Sequence, residues 1–314
     1  MLRNQWYAIE TSAAVGRRPI GRKRLGRPLV LWRAPDGAVR VAFDACPHRG
    51  AALSRGRLRD GCLECPYHGL RFDGDGACTA IPCLPDHTPE PGLHLHLLPV
   101  REERGLIWLW NGPARDDLPP LPWDDGIQAK LDAVGSPQLD ITETFAVSYL
   151  RIMENLTDYH HVPFVHRTTI PVGAELTEFR AERRGTAIDT EGLLAGKLRA
   201  STHIRGPFFG LVRFDGAAFT VAVTPIDAEN TWLFARYAQD LVKLPGLAWL
   251  ATWALGQFDY RLLQRLQDLP VWKSQRLADP ADIGRYQLLP VDEGVRLYFA
   301  MHDELAAPVE QAAT

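Results

Sequence analysis

Residues 44–72, DACPHRGAALSRGRLRDGCLECPYHGLRF, constrain this chain more than any other stretch. Cys46 and His48 form a C-x-H pair, and Cys65 and His68 form a C-x-x-H pair further along. Two thiolates and two imidazoles on two short loops suit either a tetrahedral zinc or an iron–sulfur cluster with mixed ligation. A glycine follows each pair, Gly50 and Gly69, and lets the backbone approach closely. Zinc has a further route, since Cys62 and Cys65 make a C-x-x-C pair. A C-x-H half-site is odd for zinc, whereas one Cys and one His from each loop is what a mixed-ligand cluster needs. The reading is a [2Fe–2S] centre with Cys46 and Cys65 on one iron and His48 and His68 on the other.

A second candidate lies in NLTDYHHVPFVH, residues 155–166. Here Asp158, His161 and His166 supply one carboxylate and two imidazoles, with Pro163 between the histidines. Two His and one carboxylate on one face suit a non-haem Fe(II) with open positions for O₂. A structural zinc, or histidines satisfied in a core, is the alternative. The segment from about 149 to 161 reads as helix, with Pro163 stopping or kinking it just after. On such a helix Glu154, Asp158 and His161 share a face, whereas His160 lies about 100° away.

CPHRGAALSRG followed by CPYHGLRFDGDG resembles the two cluster loops of Rieske-type non-haem iron oxygenases. The flanks NQWYAI, GRPLVLWRAPDGAV and GLIWLWNG agree, so the resemblance spans about the first third of the chain. NLTDYHHVPFVH is similar to that family's iron-binding segment, N-x-x-D-x-x-H-x-x-x-x-H, which begins here with Asn155. The resemblance implies His161 and His166 as iron ligands. It makes Asp158, with Asn155 beside it, part of an electron bridge from a neighbouring subunit's cluster, through the residue equivalent to His68. QDLPVWKSQRL (267–277) resembles the distal motif and points to Asp268 as third ligand, with Asp259, Asp279 and Asp282 as reserves. Pro270 is expected to break the helix and re-aim Asp268. Gln267 stands where many members carry an acidic residue.

The same resemblance implies a catalytic oxygenase component. Its cofactors are a Rieske cluster, a mononuclear Fe(II) and O₂ as co-substrate. NAD(P)H acts only indirectly, through a ferredoxin or flavin reductase, and no G-x-G-x-x-G fingerprint occurs in the chain. The family's two centres are too far apart within one subunit, which implies a head-to-tail homotrimer. A compact chain ending QDLPVWKSQ is more like the monooxygenase and demethylase branch than the ring-dihydroxylating one. Hydroxylation or related C–H oxidation of a bulky apolar or polycyclic small molecule is the expected reaction, with a pure electron carrier as the alternative.

The expected fold class is α+β. Residues 1–112 form an all-β Rieske domain, 113–125 a Pro-rich acidic linker, and 126–314 an antiparallel-sheet and helix (helix-grip-like) catalytic domain. LVLW (29–32) and VRVAF (39–43) flank a turn at Ala34–Gly37, and LIWLW (106–110) reads as a closing strand. LTEFRAE, KLRASTHIR, LVRFDGAAFTVAVTPI and NTWLFARYA read as consecutive antiparallel strands, and 244–277 as mostly helix. The most apolar stretch, 244–258, is too short to span a membrane. It suits a buried or subunit-contact helix, or an interfacial one that takes up a greasy substrate. Residues 17–27 carry six basic side chains, either a solvated loop or a docking patch for an acidic electron-transfer protein.

A formal net charge of −3 over 314 residues argues against general nucleic-acid binding. Five cysteines, two of them claimed by the cluster, make no disulfide framework. With no signal-peptide pattern at the N-terminus, the expected location is the reducing cytoplasm.

Overall fold

The computed structural model describes residues 1–135, 137–244, 246–275 and 286–307. Asp279 and Asp282 lie outside the described residues. The chain forms two compact units, one chiefly Arg3–Leu118 and the other Pro119–Thr224 with the chain from Glu229.

The first unit is built from short strands. β1 (Trp6–Thr11), β9 (Val100–Glu103) and β10 (Leu106–Trp110) form one sheet; β2 (Ile20–Arg24), β3 (Arg27–Arg33) and β4 (Val39–Phe43) form a second. A third holds β5 (Arg57–Arg59), β6 (Cys62–Glu64), β7 (Arg71–Phe72) and β8 (Cys78–Ala80). Trp32, Leu53, Leu63, Leu70 and Phe72 make a buried cluster that also contains Cys46 and Cys65. That apolar bed fixes the roots of both cysteine loops. Within the basic stretch 17–27, residues 20–27 form the β2–β3 hairpin while Arg17 and Arg18 lie in an exposed bend, and part of its charge is used internally. Arg22 pairs with Glu10, and buried Arg24 donates to the Ile9 carbonyl at 2.9 Å.

The second unit is a seven-stranded antiparallel sheet with helices packed on it, so the class is α+β. Its strands are β11 (Leu139–Phe145), β12 (Leu176–Arg184), β13 (Ala187–Leu194), β14 (Leu198–Arg205), β15 (Phe209–Phe214), β16 (Ala217–Pro225) and β17 (Thr231–Gln239). They run in the order β11-β17-β16-β15-β14-β13-β12. Alternation is the physical cause: along β14, Ala200, Thr202 and Ile204 are buried while their neighbours are less so. The helices are α1 (Asp125–Asp132), α2 (Tyr149–Thr157), α3 (Val162–Val165), α4 (Leu247–Gln257), α5 (Leu269–Ser274) and α6 (Glu293–Ala306). Between α4 and α5 the chain stays helical in a π-helical segment, Phe258–Asp268. α4 packs on β11 and β17, and α6 on β12 and β13.

Four local expectations need correction. α2 stops at Thr157, and Asp158 is extended (φ −98°, ψ 102°), so Asp158 and His161 do not share a helical face with Glu154. Glu154 instead faces Arg151 at 2.6 Å. Pro163 opens α3 rather than ending a helix, because its missing N–H costs nothing in a first turn. Pro270 does not break the helix either: the chain runs on from the π segment into α5, with Pro270 where the π register hands over to α. Finally, α4 is not a buried helix: it buries only Ala248, Thr252 and Gly256 and leaves Trp249, Leu250 and Trp253 half exposed, so of the readings for 244–258 the subunit-contact and interfacial ones stay open.

Candidate metal centres

The two cysteine loops have matching backbones. The Cys46 N–H bonds the Ala51 carbonyl and the Gly50 N–H returns to Cys46, both at 2.8 Å. In the second loop the Cys65 N–H bonds Leu70 at 2.8 Å and the Gly69 N–H returns to Cys65 at 3.1 Å. Each closure needs a left-handed residue, which Gly50 (φ +74°) and Gly69 (φ +73°) supply without a Cβ penalty. The loops bring the Cys46 and Cys65 thiols together, and the His48 and His68 ring centroids lie 4.7 Å apart. Burial and the neighbouring Cys65 push the Cys46 thiol up to about 11, against hydrogen bonds from the His48 and Arg49 backbones. Backbone N–H groups aimed at a buried sulfur are suited to a thiolate on iron. The cysteines are buried, whereas His48 is exposed and His68 partly so. Cys62 lies on β6 with its sulfur 3.6 Å from the Thr79 hydroxyl, as a strand residue rather than a loop ligand.

In the second unit, His161, His166 and Asp268 converge, with one candidate ligand atom from each all within 4.8 Å of one another. The Asp268 Oδ1 is 3.3 Å from the His166 Nε2 and 3.9 Å from the His161 Nε2. Sequence spacing joins the two histidines, and the end of the π-helical segment delivers the carboxylate. Asp268 is 4% exposed, and burial pushes its carboxyl up to about 7, only partly offset by His161. Burial also lowers His166, with Gln267 opposing. A divalent cation would compensate this buried carboxylate directly.

Hydrogen bonding sets the tautomers. The Gln267 Oε1 accepts from the Thr169 hydroxyl at 3.0 Å while its Nε2 donates to Thr168 at 3.1 Å, so the amide oxygen faces His166. The His166 Nδ1, 2.8 Å away, is therefore the donor, and its Nε2 lone pair points at the Asp268 side. The Asn155 Nδ2 lies 3.3 Å from the His161 Nε2, which makes that nitrogen an acceptor too. The His161 Nδ1 then faces Asp158, 3.6 Å from its Oδ2. His166 thus offers a free lone pair inward and an N–H outward, the arrangement of a metal-ligating imidazole, whereas the inward lone pair of His161 is engaged by Asn155, which iron would displace.

Asp158 lies on the outer side of His161, with the His160 Nδ1 2.9 Å away and the His160 Nε2 3.3 Å from Asp292. Burial would raise the Asp158 carboxyl, but His160 and His161 hold it well below the usual carboxylate range. His160 engages carboxylates and is not among the three converging groups. Of the reserve ligands, Asp259 turns instead toward Tyr237 and Gln264. Sequence reasoning missed Gln267 as the acceptor on His166; its place next to Asp268 was the available signal.

A family model for the Rieske [2Fe-2S] domain matches residues 5–97. Dicamba O-demethylase, the oxygenase component from Stenotrophomonas maltophilia, is 36% identical over 236 residues, covering 73% of this chain and 63% of that protein. The 4beta-methylsterol monooxygenase of Methylococcus capsulatus is 34% identical over 172 residues, 54% of this chain and 48% of that one. Among solved structures, dicamba monooxygenase bound to 3,6-dichlorosalicylic acid superposes with a TM-score of 0.80 at 24% identity, covering 100% of this chain and 99% of that one.

The chain carries a Rieske [2Fe-2S] domain over residues 5–97 and is similar to Rieske oxygenase components in sequence and fold. The aligned stretch spans less than two thirds of the length of these curated relatives. A Rieske oxygenase carries a [2Fe–2S] cluster and a mononuclear iron and uses O₂. The loops around Cys46 and Cys65 fit the first by sulfur burial and N–H donors, and His161, His166 and Asp268 fit the second by donor type and inward lone pairs. No helix among the described residues is long and apolar enough to cross a membrane.

Proposed function

We propose that this protein is a Rieske oxygenase, the catalytic component of a multicomponent system, which oxidises C–H bonds of a bulky apolar or polycyclic small molecule. In the proposed assignment, residues 1–112 carry the cluster on Cys46, His48, Cys65 and His68, residues 113–125 are the linker, and residues 126–314 carry iron on His161, His166 and Asp268. The observation that carries the reading is a cavity of about 260 Å³ that His161, His166 and Asp268 share with Ile152, Leu194, Phe214, Phe219, Leu233 and Trp272. Apolar walls beside a two-His, one-carboxylate site are what positioning of a C–H bond beside an oxidant requires.

When bound, the cluster supplies electrons singly and the mononuclear iron activates O₂. The chain's own residues do the rest. His161, His166 and Asp268 would hold the iron at the wall of the cavity in which the substrate would sit. The apolar lining excludes water, which suppresses release of activated oxygen without product. Asp158, beside the outer nitrogen of His161, would link this site to the cluster of a neighbouring subunit for electron transfer, and Asn155, which donates to the inner nitrogen, would keep the proton off it until iron takes the lone pair. In balance, one oxygen atom enters the C–H bond and the other leaves as water, with electrons from NAD(P)H through a ferredoxin or reductase. That route needs more than one subunit, for which the resemblance to the family implies a homotrimer, and free cysteines throughout suit the cytoplasm.

Monooxygenation is preferred to ring dihydroxylation, in keeping with relatives named as a demethylase and a sterol monooxygenase. The acid in the dicamba monooxygenase structure is not carried over, since no Lys or Arg lines this cavity among the described residues. The test is a single turnover with chemically reduced, iron-loaded protein and ¹⁸O₂ across a panel of apolar polycyclic compounds. Labelled hydroxyl product supports the reading. Full reoxidation without label in any product would overturn it and leave an electron carrier.

A further inference from the structure

The cavity wall holds one polar group that the chemistry above does not use. Asp259, Gln264 and Tyr237 all line the apolar cavity beside the histidines. The Tyr237 hydroxyl and the Gln264 Nε2 both donate to the same oxygen, Asp259 Oδ2, at 2.6 Å each. Among the described residues no donor meets Asp259 Oδ1, and the Gln264 Oε1 is buried without a partner. A flipped amide would put two oxygens face to face, so this orientation of Gln264 stands. Among the described residues no Lys or Arg lines the cavity to neutralise Asp259. Burial raises its carboxyl to about 6, against the donors Tyr237 and Gln264, so it is mostly ionised at neutral pH.

The chamber wall therefore carries one carboxylate oxygen with no protein donor among the described residues, Asp259 Oδ1, and beside it the Gln264 Oε1, buried without a partner. Unfilled buried acceptors cost free energy, and a ligand that brings the missing donor recovers it. We propose that Asp259 and Gln264 form a donor-recognising subsite that selects apolar substrates bearing one hydroxyl or N–H group, and rejects carboxylates. Tyr237 is the positioning residue that holds the Asp259 carboxylate in place. Both acceptors ride on the π-helical segment that ends in Asp268, so one element carries the substrate's anchor and the site's carboxylate. This rests on reading the cavity as the substrate chamber.

Isothermal titration of the full-length, cluster-containing protein without air tests it, using naphthol, methylnaphthalene and naphthoate substituted at the same ring position. These probes share one apolar frame and differ in offering a donor, nothing, or an anion. Naphthol is expected to bind about ten- to a hundredfold more tightly than methylnaphthalene, and naphthoate more weakly than either. Asp259→Leu removes the preference by weakening naphthol while methylnaphthalene binds as well or better. Gln264→Met lowers it at least severalfold and stands in if the first variant does not fold. Equal binding of the two neutral probes, binding of none, or a preference that survives both variants would overturn the subsite. The readout needs no turnover. A protein that discriminates but never oxygenates leaves the subsite standing and removes the oxygenase reading. One that oxygenates without discriminating does the reverse.

Discussion

Gln267→Leu should loosen the mononuclear iron without touching any of its proposed ligands. His166 is 4% exposed, and its Nδ1–H is satisfied by the Gln267 Oε1 at 2.8 Å. Leucine is close in size and offers no acceptor, so a buried imidazole N–H loses its partner. That costs about 1–3 kcal/mol, or roughly a 5- to 150-fold change in an equilibrium constant. Outer partners of metal-bound histidines typically contribute about 10- to 100-fold in affinity, the same range. Fe(II) affinity, measured without air by competition with a chromogenic chelator, should fall by about that factor while the cluster's visible absorption is unchanged. Gln267→Glu keeps an acceptor facing His166 and should retain or raise the affinity. Unchanged Fe(II) affinity in a folded Gln267→Leu protein would refute the tautomer argument.

Three further outcomes follow from the same geometry. Asp158→Ala should keep both metals and lose at least about 100-fold in turnover, and normal turnover in a fully metallated variant would defeat its bridging role. Asp268→Ala should lose the mononuclear iron and keep the cluster, read as iron per sulfide. Iron affinity should climb as pH rises through about 7: Asp268 sits near 7, His161 is raised by Asp158 and Asp268 against burial, and both must shed protons to bind. A chelator competition that stays flat between about pH 6 and 8 would contradict that sign.

The cluster loops were legible because their chemistry is local. Cys46, His48 and Gly50, and then Cys65, His68 and Gly69, each close a loop of a few residues, so spacing alone carries the geometry. Strand alternation was legible for the same reason, although β13, Ala187–Leu194, escaped notice. Asp268 was found by motif and not by periodicity, and the π-helical segment explains why. A wheel of 3.6 residues per turn puts Asp268 off the apolar face marked by Leu262, Leu263 and Leu266. In the wider helix Asp268 is buried while Leu266 is 66% exposed. That register depends on tertiary packing, which no local pattern records. Partners far apart in sequence were equally hidden. Gln267 meets His166 at the end of α3, and Asp259 meets Tyr237 on β17, only after the π-helical segment has packed against both.

Iron and acid-labile sulfide per chain, on protein purified without air and supplied with Fe(II), test the central claim most directly. A Rieske cluster plus an occupied His161–His166–Asp268 site predicts about three irons to two sulfides. Zinc without sulfide, or a ratio that stays at about two irons to two sulfides after Fe(II) is added, would contradict it.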